Sequence, residues 1–300
     1  MDIANIFAIP PVTRAWIGSI VVISSACSLS LLNPMKLHYL PGMWPRLFTT
    51  FSTWGNLSFV LLIQLLYLRS TCGGLERPYQ IELGMFPRSV ARSLDDRKRA
   101  LLKQKLEAYK SLDFAWFLGQ IAISAVVAFH LQQNITGNYT VTYWAMGHVL
   151  DNILLYISGK LSPNEGFTLF ILIIKKRYAF WAYGLASYLF TDEFSLIPQI
   201  YAQFGLKLTI EHIITGPFLW CTIFKMLIGH FWWFVRFYLL GDIYNEIKTE
   251  SREAWSVAFD PYETRDPLKE KLQYFVSDVL RFIVLPPWYA FIVPKLVNEE

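Results

Sequence analysis

Long apolar runs separated by short polar connections dominate this chain. Six of them approach the roughly 20 residues that an α-helix needs to cross about 30 Å of hydrocarbon. They cover approximately Arg14–Leu32, Leu47–Leu68, Phe114–Leu131, Val141–Ser158, Tyr178–Leu196 and Pro217–Leu239. Several lie near the lower length limit. The pattern predicts an all-α, polytopic membrane protein with six transmembrane helices.

Two segments carry a different pattern. Between Arg88 and Leu112, apolar Val90, Leu94, Leu101, Leu102, Leu106 and Leu112 recur among charged neighbours, which predicts a surface helix. After Gly241 the chain turns polar. Then Leu272, Phe275, Val276, Val279, Leu280 and Ile283 recur at helical spacing before Pro286-Pro287. That run is too short to cross, so an interfacial amphipathic helix is expected, with Pro287-Trp288-Tyr289-Ala290-Phe291 on the membrane surface. The expected organisation is a membrane domain over residues 1–241, with a basic helical insertion at about 77–111, and a cytosolic tail over 242–300.

Composition agrees with the runs. Hydrophobic residues make up 54% and charged ones only 17% of 300 residues, against about 25% charge in an ordinary soluble domain. Charge placement sets orientation, because basic residues near span ends stay cytosolic. Arg69–Lys110 holds ten basic residues against five acidic ones, and the connection after span four carries Lys160 and Lys175-Lys176-Arg177. Both loops are therefore expected in the cytosol, and with six spans both termini join them. Met1–Val12 has no basic n-region, so the first apolar run is expected to remain as a helix rather than to be cleaved. On the opposite face, Asn134 and Asn138 head two candidate glycosylation sequons, while Asn56-Leu57-Ser58 falls inside span two. Cys27 and Cys221 lie inside apolar runs and Cys72 follows one, so no disulfide framework is expected.

Candidate chemistry lies in the polar side chains of the spans. Such residues are costly in a bilayer and face the bundle interior or a water-filled cavity. Asn56, Gln64, Gln120, His130, His148, Asp151, Asn152, Lys225 and His230 form this set. Lys225 sits near mid-helix, and a pair with Asp151 is the simplest way to hold its charge. His148, Asp151 and Asn152 share one helical face, which reads as a hydrated polar stripe; no metal or cofactor is expected.

Several blocks resemble the derlin (Der1-like) family of rhomboid-like pseudoproteases. Pro10-Pro11-Val12-Thr13-Arg14 resembles the derlin N-terminus, and Trp44-Pro45-Arg46-Leu47-Phe48-Thr49 resembles the Trp-Arg loop motif shared with rhomboids, with Pro45 inserted. Asn33-Pro34, Leu65-Leu66-Tyr67, Leu75-Glu76, Asp113-Phe114 and Gly229-His230 follow in the same order. Where rhomboids carry Gly-x-Ser-Gly, this chain reads Gly147-His148-Val149-Leu150, with an aliphatic residue in place of the nucleophile. The Gly229-His230 run resembles the last-helix motif, but Trp233 replaces the second glycine of its Gly-x-x-x-Gly.

The resemblance implies a six-helix rhomboid-like bundle in the endoplasmic reticulum membrane. It implies a non-enzymatic role in moving misfolded lumenal or membrane proteins to the cytosol, beside an Hrd1-type ubiquitin ligase complex and its adaptors. Trp44 and Arg46 would brace the bundle; the polar residues would line a groove. No segment after Asp242 resembles the short motif by which some derlins bind the Cdc48/p97 ATPase, so only indirect coupling is expected. No nucleic-acid partner is expected. Two other classes fit a polytopic chain less well: an active intramembrane serine protease, which Val149 argues against, and a small-solute transporter, which would show paired broken helices in repeated halves.

Overall fold

The structure, a computed structural model, describes residues 8–39, 43, 45–81, 85–86, 90, 94–136, 146–169, 172–190, 217–239, 275 and 284–298. The chain forms two compact units, Met1–Pro78 with Gly119–His230, and Tyr79–Leu118 with Phe231–Glu300.

In the first unit, helix α1 (Pro11–Ser28) opens on two prolines, whose fixed φ suits the first turn. It buries Thr13, Trp16, Ile20, Ser24 and Cys27, an i, i+3, i+4 stripe. A short helix α2 (Arg46–Thr50) and then α3 (Phe59–Glu76) follow. The expected second span, Leu47–Leu68, is thus broken and shifted. The cause is local. Gly55 takes a φ of +98°, a region open to glycine, and the Ser58 hydroxyl caps α3 by accepting the Leu61 N–H at 3.1 Å. Asn56 consequently lies in an exposed loop, outside any helix.

Helix α4 (Asp96–Thr136) is a single rod of 41 residues. The amphipathic arm and the third span, expected as two helices, are one, because no glycine or proline pair interrupts Leu101 to Leu131 and Gly119 sits in open space. Helices α5 (Met146–Leu161), α6 (Lys176–Phe190) and α7 (Pro217–Trp233) match the later spans over their described parts. Helix α5 is the most buried of the set, with Ile153, Leu154, Leu155 and Ile157 all enclosed.

An antiparallel hairpin, unforeseen from the sequence, links α5 to α6. Strands β1 (Gly166–Leu169) and β2 (Leu172–Lys175) pair Phe167 with Ile174 and Thr168 with Ile173. Phe167 turns inward against Leu155, Ala179 and Tyr183, with Tyr67 and Ile174 alongside.

In the second unit, α7 passes at its end into a π-helical turn, Phe234–Leu239, and the chain closes with α8 (Tyr289–Asn298). Fully buried Arg236 lays its guanidinium 4.8 Å from the Phe117 ring centre and 5.4 Å from that of Tyr79. Trp288 and Tyr289, from the segment expected on the membrane surface, bond to buried Asp113. The indole N–H donates to Oδ1 at 2.9 Å and the phenol to Oδ2 at 2.7 Å. The expected interfacial helix over 272–283 lies outside the described residues apart from Phe275, which is exposed.

Among the described residues, two helices are long and apolar enough to cross a membrane, over Phe59–Glu76 and Arg97–Leu131. Both leave apolar stripes uncovered: Phe59, Leu62 and Leu66 on α3, and Ile123, Val127 and Leu131 on α4. Three- and four-residue spacing places each set on one helix face, as expected of surfaces that meet lipid.

Candidate functional site

In the first unit, several polar residues gather at three seams, each joining segments far apart in sequence. The first closes the start of α1. Pro10 and Pro11 offer no capping side chain, so the orphan N–H groups of the first turn need an acceptor from elsewhere. Glu76, 2% exposed at the end of α3, supplies it. Its Oε1 accepts the Val12 N–H at 2.9 Å, and its Oε2 accepts the Thr13 N–H and hydroxyl, both at 2.8 Å. The carboxylate also meets the positive end of the helix dipole.

The second seam gathers on the Phe51 carbonyl, which follows α2. It accepts two indole N–H groups, from Trp16 at 3.1 Å and Trp54 at 3.0 Å. The two indoles meet edge to face with centres 6.2 Å apart, and the His148 ring lies 4.2 Å from Trp54. Ser19 and Ser52 share a hydrogen bond of 2.8 Å nearby. Gly147 is what admits this contact: a Cβ there would sit 2.0 Å from Trp54 Nε1 and 2.5 Å from the Phe51 oxygen.

The third seam joins α5 to its neighbours. Buried Asp151 accepts the Thr71 hydroxyl of α3 at 2.7 Å. Asn152 turns back onto the His148 carbonyl at 2.7 Å. One turn on, the Tyr156 hydroxyl and His230 Nδ1 are 3.0 Å apart. Gly229 makes room, since a Cβ would stand 2.8 Å from the Tyr156 ring. Val149 is a buried side chain of the α5 packing face.

Against known proteins, the model of the Der1-like family matches residues 9–197. The chain belongs to that family. No solved structure matches it. The Pro-Pro-Val-Thr start and Leu75-Glu76 are the two halves of one helix cap, and in the second unit Asp113 holds the indole and phenol at 288–289.

Not every expected site residue of this Der1-like chain enters a seam. His148, Asp151, Asn152, Gly229 and His230 do. Gln120 is buried in α4, where its carbonyl accepts the Ser124 hydroxyl at 2.8 Å, while Gln64 and Lys225 are half-buried in α3 and α7. Asp151 is bonded to Thr71, and among the described residues it forms no ion pair with Lys225. Asn56 is exposed on its loop. Arg46 opens α2 half-buried; Trp44 and Asn138 lie outside the described residues, and Asn134 is in the last turn of α4. Among the described residues no three His, Cys, Asp or Glu side chains are placed to hold a metal.

Sequence reasoning missed Glu76 as a cap, Thr71 as the partner of Asp151, Tyr156 as the partner of His230, and Arg236. Two carried a readable signal. Glu76 is an acidic residue at the end of an apolar run, and Arg236 a charge within one. Thr71 and Tyr156 are ordinary membrane-helix residues whose roles come only from packing.

Proposed function

We propose that this Der1-like chain is a non-catalytic component of endoplasmic-reticulum-associated degradation, helping to move misfolded proteins from the lumen or membrane to the cytosol. One observation carries the non-catalytic half. His230, where a rhomboid keeps its general base, bonds to the Tyr156 phenol, and the nucleophile position holds buried Val149. Acyl transfer of the rhomboid type needs a serine hydroxyl at the nucleophile position for the base to activate, and the aliphatic Val149 offers none.

The physical route is bilayer thinning with a hydrated lateral groove. Helices α1 and α3, flanked at both ends by described residues, each run 18 residues, or about 27 Å at ~1.5 Å per residue. Against a hydrocarbon core of about 30 Å, such spans favour local thinning at fractions of a kcal/mol per Å. A polar interior lined by His148, Asp151, Asn152 and Lys225 would spare a substrate backbone several kcal/mol per unsatisfied group. In this reading α1, α3, α4, α5, α6 and α7 are the six spans, both termini are cytosolic, and residues 1–241 form the membrane domain ahead of the 242–300 tail. The partners are an Hrd1-type ubiquitin ligase with its adaptors and, indirectly, Cdc48/p97.

The test is degradation of a misfolded lumenal glycoprotein in cells lacking this chain. Rescue by wild type and His230→Ala, but not by Trp44→Ala with Arg46→Ala, is the expected outcome. Failure of His230→Ala, with cleaved substrate only in wild type, would replace this reading by an intramembrane protease.

A further inference from the structure

The hairpin between α5 and α6 leaves aliphatic side chains bare on the outside of the first unit. Leu172 is 68% and Ile173 78% exposed. Helix α6 begins at the residue after β2, and its first turns expose Tyr178 and Trp181 as well. Exposed Lys175 and Arg177 stand between the aliphatic pair and the aromatic pair.

This is not a loose loop that could fold its apolar residues away. Its base is pinned by Phe167 in the α5–α6 core. Lys176 donates its N–H to the Glu165 carbonyl at 2.9 Å and its ammonium to the Glu165 carboxylate, and Arg177 bonds to Asn164. At Gly159 the end of α5 comes so near that a Cβ would stand 2.7 Å from the Lys176 carbonyl oxygen. The base is bonded and packed while the outer residues stay uncovered.

Two opposing costs then fix where the hairpin can rest. Each aliphatic side chain left in water forgoes about 1.5–3 kcal/mol of burial. Yet among the described residues the sheet has two strands and therefore two outer edges, whose N–H and C=O groups would be costly to place in hydrocarbon. The headgroup–acyl boundary satisfies both: aliphatics reach acyl chains, while the edges reach headgroups and water. Tyr and Trp favour that depth, and Lys175 and Arg177 complement anionic headgroups.

We propose that the β1–β2 hairpin and the first turns of α6 form a lipid-docking element. It seats the α5–α6 connection at the headgroup–acyl boundary, with Leu172 and Ile173 against acyl chains and Lys175 and Arg177 on anionic headgroups. This requires only that the chain resides in a bilayer; it is independent of any role in degradation.

The experiment places an environment-sensitive fluorophore at Ile173→Cys and, separately, at its cross-strand neighbour Thr168→Cys. Both are made in the full chain with Cys221→Ser, since Cys27 and Cys72 are buried. Each is reconstituted in nanodiscs of phosphatidylcholine with or without phosphatidylserine. Quenching by headgroup-proximal nitroxide lipids, loss of quenching by aqueous iodide, and a deeper position in phosphatidylserine discs are expected at both sites. Lys175→Glu with Arg177→Glu should abolish the phosphatidylserine difference. Quenching by iodide but not by nitroxide lipid would overturn the proposal by placing the hairpin in water. Shielding from both quenchers would overturn it in favour of a protein-covered surface.

Discussion

Glu76 and Thr13, sixty-three residues apart, form one helix cap: the Glu76 Oε2 accepts both the backbone N–H and the hydroxyl of Thr13 at 2.8 Å. The arrangement answers a problem set by the Pro10-Pro11 start, which gives α1 its first-turn geometry but no capping oxygen. The carboxylate also accepts the Val12 N–H, so α1 and α3 are joined by a charge-assisted bond set rather than by packing alone.

Glu76→Ala should therefore destabilise the first unit by about 2–4 kcal/mol, since it removes a cap and strands buried donors. Glu76→Gln should cost less, because its amide oxygen still accepts while its NH2 group cannot. Denaturant titration of the purified chain in micelles, followed by helical circular dichroism, would read the order wild type, Gln, Ala. Equal midpoints for all three would show that the cap contributes nothing.

Gly147→Ala should destabilise by about 1–3 kcal/mol, the usual cost of forcing an atom into a filled space. The new Cβ would meet not only the Trp54 indole but also the Phe51 carbonyl, which belongs to the backbone and already holds two N–H groups. Shortening Trp54 should therefore fail to restore stability. Gly18→Ala is the control: nothing lies within 4 Å of its Cβ position, and alanine is the better helix former by up to ~1 kcal/mol. The same titration should give opposite signs for the two substitutions.

These contacts show where sequence reading succeeds. The family blocks, the helical class and the hydrophobic runs are legible because each rests on local residue order. The start of α3 was legible too, in Gly55-Asn56-Leu57-Ser58, but the apolar count ran past it because Leu47, Phe48 and Phe51 raise the average on the near side. The hairpin hid for the opposite reason. Leu169 to Ile174 is continuously apolar, so period 2 leaves no mark there, and only Thr168 and the bounding Gly166 and Lys175 differ from a buried run. Asp151 has a sequence reason to seek a cation, yet Thr71 satisfies it because α3 brings a hydroxyl within 2.7 Å. Such pairings depend on which helices touch, and no local pattern encodes that.

In the second unit, Asp113→Ala should loosen the return of the chain at α8. The substitution leaves the Trp288 N–H and the Tyr289 hydroxyl without their acceptor, at about 1–3 kcal/mol for each buried group. Tyr289→Phe removes one donor and keeps the ring against Phe86, so its effect should be smaller. Amide hydrogen exchange over Tyr289–Asn298 would measure this, with protection falling most in Asp113→Ala. Unchanged protection in that variant would mean that apolar packing alone holds the helix.

The base of the hairpin should respond to acid through Glu165. The hydrogen bond from the Lys176 ammonium, helped by the same cation's charge and opposed by slight burial, holds the Glu165 carboxyl below the usual glutamate range. A depressed native value means that the bond contributes above the ordinary glutamate range and is lost as pH falls through the lowered value. Protection of the Lys176 amide, which donates to the Glu165 carbonyl, should accordingly hold near neutrality and fall on acidification below that range. In Glu165→Gln it should be lower at neutral pH and show no such acid step, once intrinsic exchange rates are divided out. An identical acid step in wild type and Glu165→Gln would assign the loss to another carboxylate.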